Sequence, residues 1–155
     1  MATEAKTPSQ TEVTMSELVL PNDTNLLDNL VGGRLMYWMD IAGALVASRH
    51  SNKVVATVSI DNITFKHPVR KGEMVVIKAK MLYAGTTSMS IGIKVYAENM
   101  ATGSTILTNK ARMVFVALDD NAQPCKVPLL IPETEEERLA FDKERARKEK
   151  QKAKK

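Results

Sequence analysis

Four stretches after residue 53 alternate apolar and polar side chains: residues 54–63, 73–83, 88–98 and 105–118. A period of two marks a strand with one covered face. Short turns such as Ala84-Gly85-Thr86-Thr87 and Ala101-Thr102-Gly103 join neighbouring stretches, so the pattern predicts an antiparallel sheet. Residues 13–20 alternate more loosely and predict a first strand. Residues 31–48 differ: they show no alternation, contain no proline and are rich in Leu, Met and Ala, which predicts a helix of about five turns. Apolar residues fall on nearly every face of it, which predicts burial all round. Gly43 weakens that helix by roughly 1 kcal/mol relative to alanine, and close approach of a neighbouring backbone is the expected return. Residues 133–155 are helix formers, acidic first and basic last, in keeping with the helix dipole. Leu139, Ala140 and Phe141 are their main apolar residues, so that helix should dock lightly. The order predicts an α+β fold, one sheet around one long helix. Its edge strands need cover, which two subunits paired edge to edge would provide.

The chain of 155 residues suits one domain, here divided into a mobile N-terminus (1–12), a folded body (13–132) and a charged C-terminal helix or tail (133–155). A lone cysteine, Cys125, excludes an internal disulfide framework and a cysteine-based zinc finger. No run of apolar residues reaches the ~18 needed for a membrane span, and residues 1–14 lack an apolar signal region; a cytoplasmic protein is the expectation. Residues 145–155 carry seven Lys/Arg and one Glu, so the chain's net +4 leaves the rest at −2. The basic character therefore belongs to the tail. A solvated helix end explains it better than nucleic-acid binding.

One residue stands out. Asp40 lies midway along the apolar helix, where a carboxylate is rarely buried unless paired. It is a core aspartate satisfied by a hydroxyl or N–H, a residue on a narrow exposed stripe, or a working acid or base in a pocket. Gly32 and Gly33 fall at the start of the same helix, where unpaired N–H groups and the positive end of the dipole meet. They mark either a tight turn or a seat for an oxyanion. Eight residues separate Gly32 from Asp40, about 12 Å along the axis. A pocket using both features more naturally combines two chains.

Five stretches carry a resemblance: Pro21-Asn22-Asp23-Thr24-Asn25, Asn29-Leu30-Val31-Gly32-Gly33, Met39-Asp40-Ile41-Ala42-Gly43, Phe65-Lys66-His67-Pro68-Val69 with Gly72, and Gly85-Thr86-Thr87-Ser88-Met89-Ser90-Ile91. In this order and at these spacings the chain resembles the hotdog-fold acyl-CoA thioesterases, specifically the single-domain bacterial acyl-CoA hydrolases related to the brain-type cytosolic enzyme. The resemblance implies a long central helix wrapped by a five-stranded antiparallel sheet. It implies edge-to-edge dimers assembled as trimers of dimers, with active sites at the subunit boundary. Asp28 stands where many relatives have glycine, and Val31 where many have an aromatic residue or histidine. Leu26 and Leu27 make the loop more apolar than in several relatives.

The implied reaction is hydrolysis of a fatty acyl-CoA thioester to free fatty acid and coenzyme A. Asp40 is the general base or nucleophile, with Asn25 from the partner subunit orienting water or thioester. Gly32 or Gly33 N–H polarises the carbonyl. Thr87 and Ser88 match a turn beside the pantetheine and nucleotide, and Arg49, Arg70 and Lys71 are candidate partners for the phosphates. No cofactor or metal is implied, because coenzyme A is substrate and product. The alternative is a hotdog protein that binds acyl-CoA without cleaving it; such a protein needs no aspartate on the helix. Hydratases of this fold rely on a histidine near the helix, and none occurs in residues 21–48.

Overall fold

The computed structural model describes residues 4–153. Residues 1–3 and 154–155, the ends of the expected mobile N-terminus and basic tail, lie outside them. The elements run α1 (Pro8–Thr11), β1 (Val13–Leu18), a 3-10 turn (Pro21–Asp23), α2 (Gly32–Ser51), β2 (Val54–Asp61), β3 (Met74–Ala84), β4 (Ser88–Glu98), β5 (Thr105–Leu118) and α3 (Glu135–Ala153). The five strands form one antiparallel sheet in the order β1-β3-β4-β5-β2. Alternation becomes burial directly. Val75, Ile77, Ala79 and Met81 of β3 point inward, as do Ile91, Ile93 and Val95 of β4 and Met113, Phe115 and Ala117 of β5. α2 crosses that inner face, touches every strand and buries Leu35, Met39, Ala42 and Val46 against it. This is the hotdog arrangement.

The helix is not buried all round, as its apolar content predicts. Tyr37 is 58% exposed and Leu45 45%, because the sheet covers one side of α2 and nothing among the described residues covers the other. Val54 and Val58 are also exposed, on β2, whose outer edge has no partner strand. Gly43 also departs from expectation. Its close neighbour is a side chain, not a backbone: a Cβ there would lie 2.8 Å from the Phe115 ring.

Among the described residues, those before β1 and those of α3 are more firmly attached than their composition predicts. Lys6 N–H donates to the Leu129 carbonyl, and its Nζ donates to the Arg49 carbonyl and Asn52 Oδ1, tying residues expected to be mobile to the end of α2. α3 packs on the outer face of the sheet through Phe141, whose ring meets Tyr83 edge to face at 4.9 Å, and through ion pairs. Arg112 of β5 donates Nε to Glu144 at 2.6 Å and Nη1 to Asp61 at 2.7 Å, and Glu144 is buried. Burial pushes the Glu137 carboxyl up. The hydrogen bond from Lys80 and the N–H groups of Glu133 and Thr134 outweigh that and hold it below the usual range. With Thr134 Oγ accepting from Glu137 N–H, these bonds cap the first turn of α3.

Candidate active site

The start of α2 is built by the loop before it. Asp23 Oδ2 accepts from Leu20 N–H, and Asp23 pairs with Arg34 at 3.4 Å, which fixes how the 3-10 turn enters the helix. Asn25 Oδ1 accepts from Leu27 N–H at 2.9 Å and Asn29 N–H at 3.3 Å. This Asx turn fixes the orientation of the amide: two donors face the oxygen, and Nδ2 is left without a partner among the described residues. Asp28 follows at φ +59°, the left-handed region that glycine occupies readily and aspartate tolerates. Its carbonyl accepts from Lys71 N–H, Leu30 N–H donates to the Val69 carbonyl, and Asn29 bridges to Arg70. The Asn25 loop is thereby pinned to residues 69–71.

α2 begins without a capping side chain at Val31. The N–H groups of Gly32 and Gly33 have no acceptor among the described residues, the condition for seating an anionic oxygen. Gly32 and Asn25 line one cleft of roughly 250 Å³ with Asn29, Phe65 and His67. A Cβ on Gly32 would lie 3.3 Å from the Phe65 ring, so glycine lets the aromatic wall approach the helix end. Asn29 Oδ1 is buried there with no hydrogen-bond partner.

Asp40 does not line this cleft. It is half-buried on the uncovered side of α2, and its Oδ1 accepts from Thr57 Oγ at 2.7 Å. Of the readings open in the sequence, the stripe and the hydroxyl partner thus hold together. Thr57 was not legible as a site residue, because a threonine in an alternating strand is an ordinary β-former. Its place beside Asp40 depends on the register of β2, which pairs Thr57 with Phe115 and then shifts before Ser59.

The other sequence-named residues separate into groups. Thr87 and Ser88 lie at the β3–β4 turn, where the Lys148 ammonium contacts Ser88 Oγ and the Thr87 carbonyl accepts from Ala117 N–H. Lys71 pairs with Asp28 at 3.7 Å beside the Asn25 loop, next to Arg70. Arg49 is at the far end of α2, its guanidinium donating to the Glu12 carbonyl at 3.0 Å. The single chain therefore brings together Asn25 with Gly32, Asp40 with Thr57, and Thr87 and Ser88 with α3, but not the first pair with the second. Among the described residues no cluster of His, Cys, Asp and Glu is arranged to hold a metal, and no helix is long and apolar enough to cross a membrane.

A single apolar helix wrapped by a five-stranded sheet defines a hotdog protein, here with an aspartate on the open face of the helix and a glycine pair at its tip. The sequence profile of the Thioesterase superfamily matches residues 27–104, and the chain belongs to that family. A Bacillus subtilis protein named as an uncharacterized acyl-CoA thioester hydrolase is 35% identical over 134 residues, 86% of this chain and 78% of its own. The acyl-CoA hydrolase of Staphylococcus aureus superposes with a TM-score of 0.87 at 31% identity, covering 97% of this chain and 92% of that one, in complex with butyryl-coenzyme A, coenzyme A and coenzyme A disulfide. Variants of that hydrolase with an aspartate, an asparagine or a threonine replaced by alanine are also solved structures, the asparagine variant with coenzyme A. A hexameric acyl-CoA thioesterase superposes with a TM-score of 0.89 at 34% identity, covering 97% of each chain.

Proposed function

We propose that this protein hydrolyses acyl-CoA thioesters to a carboxylic acid and coenzyme A. The observation that carries the reading is Asp40, set on the open face of α2 and held by Thr57. The three residues replaced in the Staphylococcus aureus variants follow one another in the order and at the separations of Asn25, Asp40 and Thr57 here, which supports the same assignment.

Thr57 occupies one carboxylate oxygen and leaves the other free to act. Asp40 serves as general base toward water, or as nucleophile on the carbonyl. Charge then develops on the thioester oxygen. The Gly32 and Gly33 N–H groups and Asn25 Nδ2 are the unused donors suited to receive it. With Asp40 as base, the water oxygen bonds to the carbonyl carbon, the C–S bond breaks, the sulfur takes the proton that Asp40 removed and the acid is released. With Asp40 as nucleophile, C–S cleavage leaves an acyl–Asp40 anhydride, and the thiolate takes a proton from water. The resulting hydroxide or a second water then hydrolyses the anhydride to the acid. Thr87 and Ser88 are assigned to the coenzyme A portion, with Arg70 as a candidate cation; Arg49 and Lys71 hold partners within the chain.

Asp40 and Asn25 come from different chains in this reading. The open face of α2, with Tyr37 and Leu45, and the unpaired edge of β2, with Val54 and Val58, form the apolar surface that a second subunit covers. Edge-to-edge dimers and their assembly as trimers of dimers follow from the resemblance, and the hexameric neighbour supports them.

Thiol release from a panel of short- to long-chain acyl-CoAs tests the function. Turnover that disappears in Asp40→Ala is the expected result. A folded oligomer that binds coenzyme A and cleaves no thioester would replace the enzyme with an acyl-CoA-binding protein.

A further inference from the structure

The β3–β4 turn lies under a group of cations that the reaction scheme leaves unused. A cleft of roughly 330 Å³ is lined by Gly85 and Thr86 of the turn, Lys126 of the following loop, and Arg145, Lys148 and Lys152 of α3. Glu149 is the one acid on its wall. Arg145 pairs with Asp142, whereas Lys126, Lys148 and Lys152 form no ion pair among the described residues.

Lys148 is the centre of the group. Its ammonium sits on Ser88 Oγ and above Gly85, where a Cβ would collide with it. Burial, and then the like charges of Lys152 and Arg112, push its pKa down. A half-buried cation that rests on a hydroxyl, beside further cations and with no ion pair among the described residues, has lost water without gaining a counter-ion, so an anion placed there recovers the missing interaction.

The turn is in line with the reacting pair. Thr57, Phe115, Met89 and Ala84 are successive partners across β2, β5, β4 and β3. Three strand spacings put Ala84 about 14 Å from Thr57, a distance that an extended pantetheine arm covers. Arg49 and Lys71, in contrast, already hold partners elsewhere.

We propose that the basic half of α3, which lies outside the segment matched by the family profile, seats the phosphates of the coenzyme A moiety through Lys148 and Lys152 over the Gly85–Ser88 turn. The inference rests on the thioesterase reading. It assigns the positive end of the chain to substrate recognition rather than to a solvated tail.

The test compares one acyl chain on two carriers, coenzyme A and phosphate-free pantetheine. In Lys148→Gln/Lys152→Gln, the ratio of kcat/KM for acyl-CoA to that for acyl-pantetheine is expected to fall roughly tenfold or more, through KM. Lys148→Arg in a Lys152 background should restore most of that ratio. An unchanged ratio overturns the proposal, whether both substrates are unaffected or both decline together. Adenosine 3′,5′-bisphosphate should compete with acyl-CoA; binding that depends on Lys148 without competition means a separate nucleotide site and also overturns it. If wild type hydrolyses neither thioester, the enzymatic reading fails by itself. Calorimetry with coenzyme A then decides the seat, which stands if the double variant loses binding and falls if it does not.

Discussion

Thr57 Oγ donates to Asp40 Oδ1 across 2.7 Å, from the edge strand β2 to the open face of α2. The bond fixes one carboxylate oxygen and leaves the second available. It also ties the orientation of the Asp40 side chain to the register of β2, where Thr57 pairs with Phe115.

Removing the carboxylate should be worse than removing its support. Asp40→Asn keeps the shape and the hydrogen-bond acceptor, and should lower kcat by about 10²-fold or more, the order of a lost general base. Thr57→Val should lower it by roughly 10-fold, and Thr57→Ser should recover most of that loss. Steady-state kinetics on one good acyl-CoA, with circular dichroism to verify folding, checks both. Wild-type turnover in Asp40→Asn would remove the residue from the mechanism.

Asn25 lines a cleft that Asp40 does not line, and complementation tests whether two chains join them. Asn25→Ala and Asp40→Ala should each be inactive alone. Chains refolded together pair at random, and half the sites of each mixed dimer then hold both native side chains, so about a quarter of wild-type activity should return. A mixture as inactive as its components would place both groups in one chain.

Stability should fall with acidification through His50. The ring is fully buried, with Nε2 on the Pro128 carbonyl at 2.8 Å and Nδ1 without a partner. Burial lowers its pKa from 6.5, the hydrogen bond with the Pro128 carbonyl opposes this, and the charge on Lys6 adds to the lowering. Between the folded and unfolded values the unfolded chain binds more protons. His50 therefore contributes fully above about pH 6.5, and that contribution declines as pH falls toward and through the folded value. Urea titrations from pH 8 to pH 5 should show the decline, and His50→Gln should flatten it. An equal slope in the variant would assign the loss to other groups.

Gly43 is required by Phe115. Adding a methyl group at 2.8 Å from a buried ring overpacks the helix–sheet contact, at a cost of about 1–3 kcal/mol, while alanine returns about 1 kcal/mol of helix propensity. Gly43→Ala should therefore lower the midpoint of thermal unfolding. Because Phe115 is also the register partner of Thr57, activity should drop at temperatures where the variant remains folded. A variant as stable and as active as wild type would show that the ring yields freely.

Elements with strong periodicity were legible in full. β4 and β5 occupy the predicted residues, and α2 ends within the expected Arg49-His50-Ser51-Asn52 stretch, closing at Asn52 in the left-handed conformation. Ends secured by polar bonds were not. Lys6 on the Leu129 carbonyl and Arg112 on Glu144 join residues far apart in sequence, and no local pattern announces such pairs.

The sequence by itself determined the sheet, the buried helix and the presence of an aspartate that an apolar helix does not explain. Those features are encoded locally, in side-chain period and in one charge out of place. Tertiary structure decided the rest: Thr57 as the partner of Asp40, Asn25 with a free amide beside Gly32, and Lys148 over the Gly85–Ser88 turn. Each depends on strand register or helix docking, which are set by the packing of the whole chain, and distances across a sheet are not written in any single segment.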